Sequence, residues 1–470
     1  MSSDPRRTKI VATIGPASAS QDVLLELART GVDAFRLNFS HGTHEEHAEA
    51  AHAVRAVQSE LQKALALIAD LQGPKLRIGE LPAPRVLLKG EEVVIVGEEQ
   101  GVDGELPVAP AVISEVLQPG HDVLIDDGLV RLAVEDVQEG RARCRVVVGG
   151  EVKSHKGVNL PGVPVPIPSL TKKDLDDLSF ALNLGVDYVA LSFVRAAADV
   201  RDLQAIIRQH GSPARVIAKI EKAEAVAVLD EVLAEADAVM VARGDLGVEL
   251  GTATVPLLQK RIIRRCLEVG KPVITATQML ESMIEHAEPT RAEASDVANA
   301  ILDGTSAVML SAETAAGNFP VEAVATMDRI ARAVEPSMDY RHQMPEAEDG
   351  ETIGRAMSNA ACDLAEALRA RAILVPTFTG RTASAVARLR PRRPIVGLSH
   401  HRTALQQMAL EWGVTPALMP ETENVEDLWS RSLEAARKAG AVDPGDRVVL
   451  TAGTAVNLPG STNVIKVDVA

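Results

Sequence analysis

Cysteine is scarce in this 470-residue chain: Cys144, Cys266 and Cys362 lie far apart and never in CxxC spacing. An odd, scattered set supports neither a disulfide framework nor a zinc site and reads as reduced thiols. Aromatic residues are only 2%, which leaves almost no platform on which nucleic-acid bases stack. Positive charge is in deficit, with 49 Lys and Arg against 65 Asp and Glu and a net charge of -16. That balance repels nucleic acid and anionic membrane. No apolar run approaches the roughly 18 residues that a membrane span needs. The opening MSSDPRRTKIV also lacks the apolar stretch of a signal peptide. The expectation is a cytoplasmic protein whose partners are small molecules, not nucleic acid or membrane. An anionic substrate is still open to it through a local cluster of Arg, Lys and metal.

What is present is a globular composition, 46% hydrophobic and 24% charged, on a chain long enough for two or three domains. Short β-branched runs recur between helical patterns: TKIVATIG, AFRLNFS, ALALIADLQ, VDYVALSFV, ARVIAKIE, AVMVARG, PVITATQ and AVMLSAET. Helix-period stretches such as SQDVLLELARTG and PLLQKRIIRRCLEVG lie between most of them. Eight strand-helix units predict an α/β fold, a (β/α)8 TIM barrel over residues 1–77 and 165–335. The stretch 78–164 has another texture, with VLLKGEEVVIVGE, HDVLIDDGLVRLAVEDV and ARCRVVVGGEV and no clear amphipathic helix. It predicts a small all-β insert, a lid on the third βα connection. Residues 336–350 read as a polar linker, and 351–470 as a C-terminal α/β domain with strands AILVPT, PIVGLS, RVVLTAG and VIKVDV.

Polar residues fall at the carboxyl ends of the barrel strands with period two, and so share a face. Arg36, Asn38 and Ser40 alternate with Phe35, Leu37 and Phe39; Lys219 and Glu221 share a face; Asp70, Asp245 and Thr277 hold corresponding places. Each alone is an ordinary strand end facing solvent. As a set they argue for a site, because polar groups inside a barrel cost free energy unless paired. Glu221 and Asp245 offer hard oxygen ligands for Mg2+, with Mn2+ as an alternative. Arg36, Arg77 and Lys219 supply the positive charge that a transferring phosphoryl group needs.

The strings TKIVATIGPAS, FRLNFSHGTHEEH, KGVNLPG, AKIEKAEAV, VARGDLGVEL, ITATQMLESMI and EPTRAEASDVANAILDGTSAVMLSAETAAG resemble the pyruvate kinase family over nearly the whole chain. The resemblance implies transfer of a phosphoryl group from phosphoenolpyruvate to ADP, giving pyruvate and ATP. It implies that Arg36 holds the substrate phosphate and that Glu221 and Asp245 hold the metal. The backbone at Gly244 and Asp245, with Thr277, would receive the carboxylate, and Lys219 would lie beside the phosphoryl in flight and the enolate oxygen. Arg77 and Asn38 would contact ADP phosphates, with Lys156 delivered by the lid and His41 a weaker neighbour. By analogy the protein is a homotetramer. An aldolase-like lyase acting on the same acids would need no nucleotide, so Arg77, Lys156 and the lid argue against it. A non-catalytic sensor would not need Lys219, Glu221, Asp245 and Thr277 together.

DLQGPKLR, Asp70 to Arg77, departs from the family's common pattern. Relatives that need K+ carry glutamate where this chain has Lys75, and Thr and Lys where it has Leu71 and Gln72. In those relatives the counterparts of Asn38, Ser40 and Asp70, with the carbonyl at Leu71, bind the ion. The resemblance to the K+-independent branch implies that the Lys75 ammonium stands about where K+ would, so that no monovalent cation is required.

His41, His44 and His47 of HGTHEEH lack the HExxH pattern and more plausibly open a polar helix. In VPTFTGRTASAV, Thr377, Thr379, Gly380, Arg381 and Thr382 lead from a strand into a helix, where free N–H groups and hydroxyls suit a phosphate. The same features describe a capped helix start and nothing more. The resemblance favours an allosteric site for a phosphorylated effector.

Overall fold

The computed structural model describes residues 6–98, 104–338, 352–453 and 462–470. Eight parallel strands close into a barrel: β1 (Lys9–Thr13), β2 (Ala34–Asn38), β3 (Ala66–Asp70), β4 (Tyr188–Leu191), β5 (Arg215–Ile220), β6 (Ala238–Ala242), β7 (Val273–Ala276) and β8 (Ala307–Leu310). All eight predicted runs are barrel strands. Their alternation divides each strand between two cores. Phe35, Leu37, Leu67 and Ala69 pack outward with the helices, while Ala34, Ala66, Ile68, Tyr188, Ala190 and Ile217 fill the lumen. Continuing the lumen face two residues upward reaches Arg36, Asp70, Ser192 and Lys219.

The helices follow local signals. Ser20 caps the helix Gln21–Thr30, and Pro256 opens the helix Val255–Val269, which ends at Gly270 in a left-handed conformation. HGTHEEH is a helix start: Thr43 and Glu46 form a capping box on the helix His44–Leu61. His44 stacks on Phe180 and bonds Asp177, and His47 bonds the carbonyl of His41.

The insert is a second closed barrel of seven strands around its own apolar core. One of its strands is Leu76–Ile78, paired with Gly157–Asn159 and with Leu106–Ala109. The chain therefore enters the lid between Asp70 and Leu76, slightly before the expected start at residue 78, and Arg77 rides on the lid. Of the expected linker, Pro336 and Ser337 close a short 3-10 turn, and residues 339–350 lie outside the described residues.

The C-terminal domain is a five-stranded sheet: β9 (Ala372–Pro376), β10 (Ile395–Ser399), β11 (Val414–Leu418), β12 (Arg447–Gly453) and β13 (Thr462–Val469), in the order β11-β10-β9-β12-β13. Four of these strands were expected and β11 was not. Pro416 lies within it, and proline is tolerated because β11 is an edge strand. Ala409 and Leu410 of this domain join the lumen core, and the Tyr188 hydroxyl donates to the Gln407 carbonyl at 2.8 Å. The domain thus seals the amino-terminal end of the barrel and leaves the carboxyl end open.

Candidate active site

At the open end, three strands bring four charged side chains into one buried cluster. Arg36 on β2 donates through Nε to Asp70 on β3 at 2.6 Å and through Nη1 to the Thr13 hydroxyl at 3.1 Å. Lys219 on β5 places Nζ 3.2 Å from Asp70 Oδ1 and 3.0 Å from Glu221 Oε1. Asp70 and Glu221 are each 1% exposed. The register makes this inevitable: Asn38 pairs with Asp70 and Asp70 with Ala190 across neighbouring strands, so the strand ends lie level.

The electrostatics follow from that packing. Burial alone would raise Asp70, but Lys219 and Arg36 outweigh it and hold the carboxyl below its usual range. Burial would lower Lys219, yet Asp70 and Glu221 hold its ammonium charged well above the ordinary lysine value. Glu221 is raised, by burial first and by the nearby charge of Asp245, against the pull of Lys219. Its Oε2 accepts the Phe193 N–H at 2.7 Å. Its Oε1 is buried, and the lysine approaches it at an angle that leaves it without an aligned hydrogen bond. A buried oxygen short of a donor beside a second carboxylate is the environment a hard cation fits.

Asp245 opens the helix Arg243–Leu250 directly after β6. Gly244 N–H donates to Thr277 Oγ1 at 2.8 Å, and that hydroxyl donates to the Ala276 carbonyl at 2.6 Å. Thr277 and Gln278 both have positive φ, 69° and 54°, a strained turn for side-chain-bearing residues. Arg243 holds it, donating to the Thr277 carbonyl at 2.7 Å while paired with Asp296 at 2.7 Å.

Not every expected residue joins this cluster. The Lys75 ammonium is 3.7 Å from Asp245 Oδ1, whereas Asp70 is held by Arg36 and Lys219. The lysine stem packs on Gly157, where a Cβ would lie 2.8 Å from Lys75 Cε. Asn38 Oδ1 accepts the Ser40 N–H at 3.2 Å, and the Leu71 carbonyl is taken by Ser192. Arg77 bonds the His155 carbonyl and Lys156 pairs with Asp126, both within the lid. Burial and the charges of Arg77, Arg36 and Lys75 lower His41, which places it at the edge of a cationic cleft. The residues Thr377 to Thr382 lie at the end of β9. Gly380 N–H donates to the Thr377 hydroxyl, Thr382 bonds Thr462, and Arg215 of the barrel donates to the Thr379 carbonyl at 2.7 Å.

Four participants were missed: Thr13, Ser192, Phe193 through its N–H, and Arg243. Thr13 and Ser192 were findable by the same period-two rule that marked Arg36 and Lys219.

The comparisons agree with this geometry. The family pattern described as pyruvate kinase, barrel domain, matches residues 5–324, and that of the pyruvate kinase alpha/beta domain matches residues 355–468. Pyruvate kinase 2 of Synechocystis is 45% identical over 99% of this chain and 79% of the relative. The pyruvate kinase of Geobacillus stearothermophilus is 44% identical over 99% and 80%, and one from Agrobacterium vitis 45% over 99% and 98%. The chain belongs to the pyruvate kinase family.

Proposed function

We propose that Arg36 and Lys219 carry the charge of the phosphoryl group as it passes from phosphoenolpyruvate to ADP. The observation that carries this reading is the pairing of both cations to one buried carboxylate, Asp70. That pairing fixes two positive charges at the cleft before substrate arrives, so no reorganisation is spent at the moment of transfer. The family generally uses Mg2+. Glu221 and Asp245 would hold it here, and when bound it supplies positive charge to the phosphate oxygens and the developing enolate. Transfer is in line: the bond between phosphorus and the enol oxygen breaks as the bond to the ADP oxygen forms, with charge spread over the equatorial oxygens. Lys219 then stabilises the enolate oxygen, and carbon receives a proton from water or through a relay at Thr277, giving pyruvate. Asn38, Arg77 and His41 bind the ADP phosphates, and Lys156 leaves Asp126 to join them when the lid closes. The Gly244 N–H, with Asp245 and Thr277, receives the substrate carboxylate. A coupled assay for pyruvate from phosphoenolpyruvate, ADP and Mg2+ tests the reading; absence of pyruvate from the folded protein would end it.

Lys75 supplies the monovalent charge in place of K+. Its ammonium already stands in the cleft against Asp245, one unit charge for another. Activity in buffer free of Na+ and K+ should equal that with KCl apart from the general effect of ionic strength, and strong activation by KCl overturns the idea. The Thr377–Thr382 turn binds the phosphate of an effector, and its link through Arg215 to β5 gives it a route to the strand that carries Lys219. Among the described residues no helix is long and apolar enough to cross a membrane. By analogy with the family the protein is a cytoplasmic homotetramer.

A further inference from the structure

The Lys219 ammonium has three hydrogens on a flexible four-carbon stem, and its value to the transition state depends on where they point. Two carboxylates attract it, Asp70 at 3.2 Å and Glu221 at 3.0 Å, but Coulomb attraction varies with distance alone. The aligned hydrogen bond of this ammonium goes to Ser192 Oγ at 2.7 Å. Hydrogen bonds weaken steeply away from linearity. The acids supply the charge, and the serine supplies the direction.

Ser192 is itself fixed. It is 2% exposed, and its hydroxyl hydrogen is committed to the Leu71 carbonyl at 2.6 Å, which turns a lone pair toward Lys219. The backbone is crowded in place: Gly73, at φ +70°, packs so near that a Cβ there would lie 2.9 Å from Ser192 Cβ and 2.8 Å from Phe193 Cδ2. The next N–H, that of Phe193, donates to Glu221 Oε2 at 2.7 Å. One dipeptide at the end of β4 therefore aims both the lysine and the glutamate, and it packs against Gly73 of the segment through which the chain enters the lid.

We propose that Ser192 is a positioning residue for phosphoryl transfer: its hydroxyl, anchored on Leu71, holds the Lys219 ammonium toward the substrate and away from the midpoint of the two carboxylates. The proposal rests on the transfer reading above, and the two fail separately. If the wild-type protein makes no pyruvate, the transfer reading fails, whatever Ser192 does.

In the full-length protein, Ser192→Ala should lose about 10–100-fold in kcat, the scale of a misplaced catalytic group. KM for phosphoenolpyruvate, and the Mn2+ dissociation constant read by electron paramagnetic resonance, should move by less than about threefold. Ser192→Cys, of the same shape with a weaker acceptor, should fall between. In a Lys219→Met background Ser192→Ala should add no more than about threefold, because its target is already gone. A kcat near wild type in Ser192→Ala, a loss confined to KM, or an equal loss in both backgrounds would overturn the proposal.

Discussion

The two ends of the eight-stranded barrel bury the same kinds of residue and treat them in opposite ways. At the amino-terminal end, Asp33 accepts Arg6 at 2.9 Å and the Ile10 N–H at 3.0 Å, and Asp187 accepts Arg55 at 2.9 Å and the Leu67 N–H at 2.8 Å. Each carboxylate there has a guanidinium and a backbone donor, and the C-terminal domain closes over them. At the carboxyl end, Glu221 keeps one oxygen without an aligned donor, and Asp245 meets only a loosely placed lysine among the described residues. Satisfied charge stabilises a fold, whereas unsatisfied charge is held ready for a ligand. The sharpest way to break this contrast is at the open end. Lys219→Met should lose about 10²–10³ in kcat, the scale of one preorganised group, with the far-ultraviolet circular dichroism unchanged. Near-wild-type turnover would show that the buried cations at the two ends do not differ in kind.

The contrast was half legible in the sequence. The barrel strands were, because lumen and helix faces alternate strictly and the charged residues at Arg36, Asp70 and Lys219 extend that alternation. The same rule reached Ser192 and Thr13 in principle, but a lone hydroxyl at a strand end carries no charge to draw notice. What was not legible is reach. Lys75 is five residues beyond β3 on a turn into the lid, and its stem lies against Gly157 on the way to Asp245. The packing of the closed end was hidden for another reason: Asp187 meets Arg55, and Arg6 meets Asp328, across elements far apart in the chain. β11 was hidden by Pro416, which argues against a central strand and says nothing against an edge.

The closed end can be sharpened by pH, because its two carboxylates are displaced in opposite directions. Burial raises Asp187 to about 6, and Arg55 only partly offsets it. A carboxyl whose folded value lies above the unfolded one favours the fold at low pH and loses that advantage as pH rises through the folded value. Replacing it by Asp187→Asn removes the titration. The stability of the variant relative to wild type should therefore improve by about 2 kcal/mol between pH 4 and pH 7, measured by urea unfolding at each pH. A flat difference would mean that Arg55 fully compensates the buried charge.

Asp33 behaves in the reverse sense and by a smaller amount. Burial would raise it too, but Arg6, Lys9 and Lys63, with the Ile10 N–H, outweigh burial and bring it to about 2. Its folded value lies below the unfolded one, so its stabilisation is complete above about pH 4 and is lost as pH falls toward 2. Asp33→Asn should cost about 2 kcal/mol at neutral pH, with the deficit shrinking on acidification. The kcat for pyruvate formation should stay at the wild-type value wherever the variant is folded, since Asp33 lies at the far end of the barrel from Lys219. A fall in kcat without a fall in stability would show that charge at the sealed end acts on the chemistry, and the division of labour between the two ends would not hold.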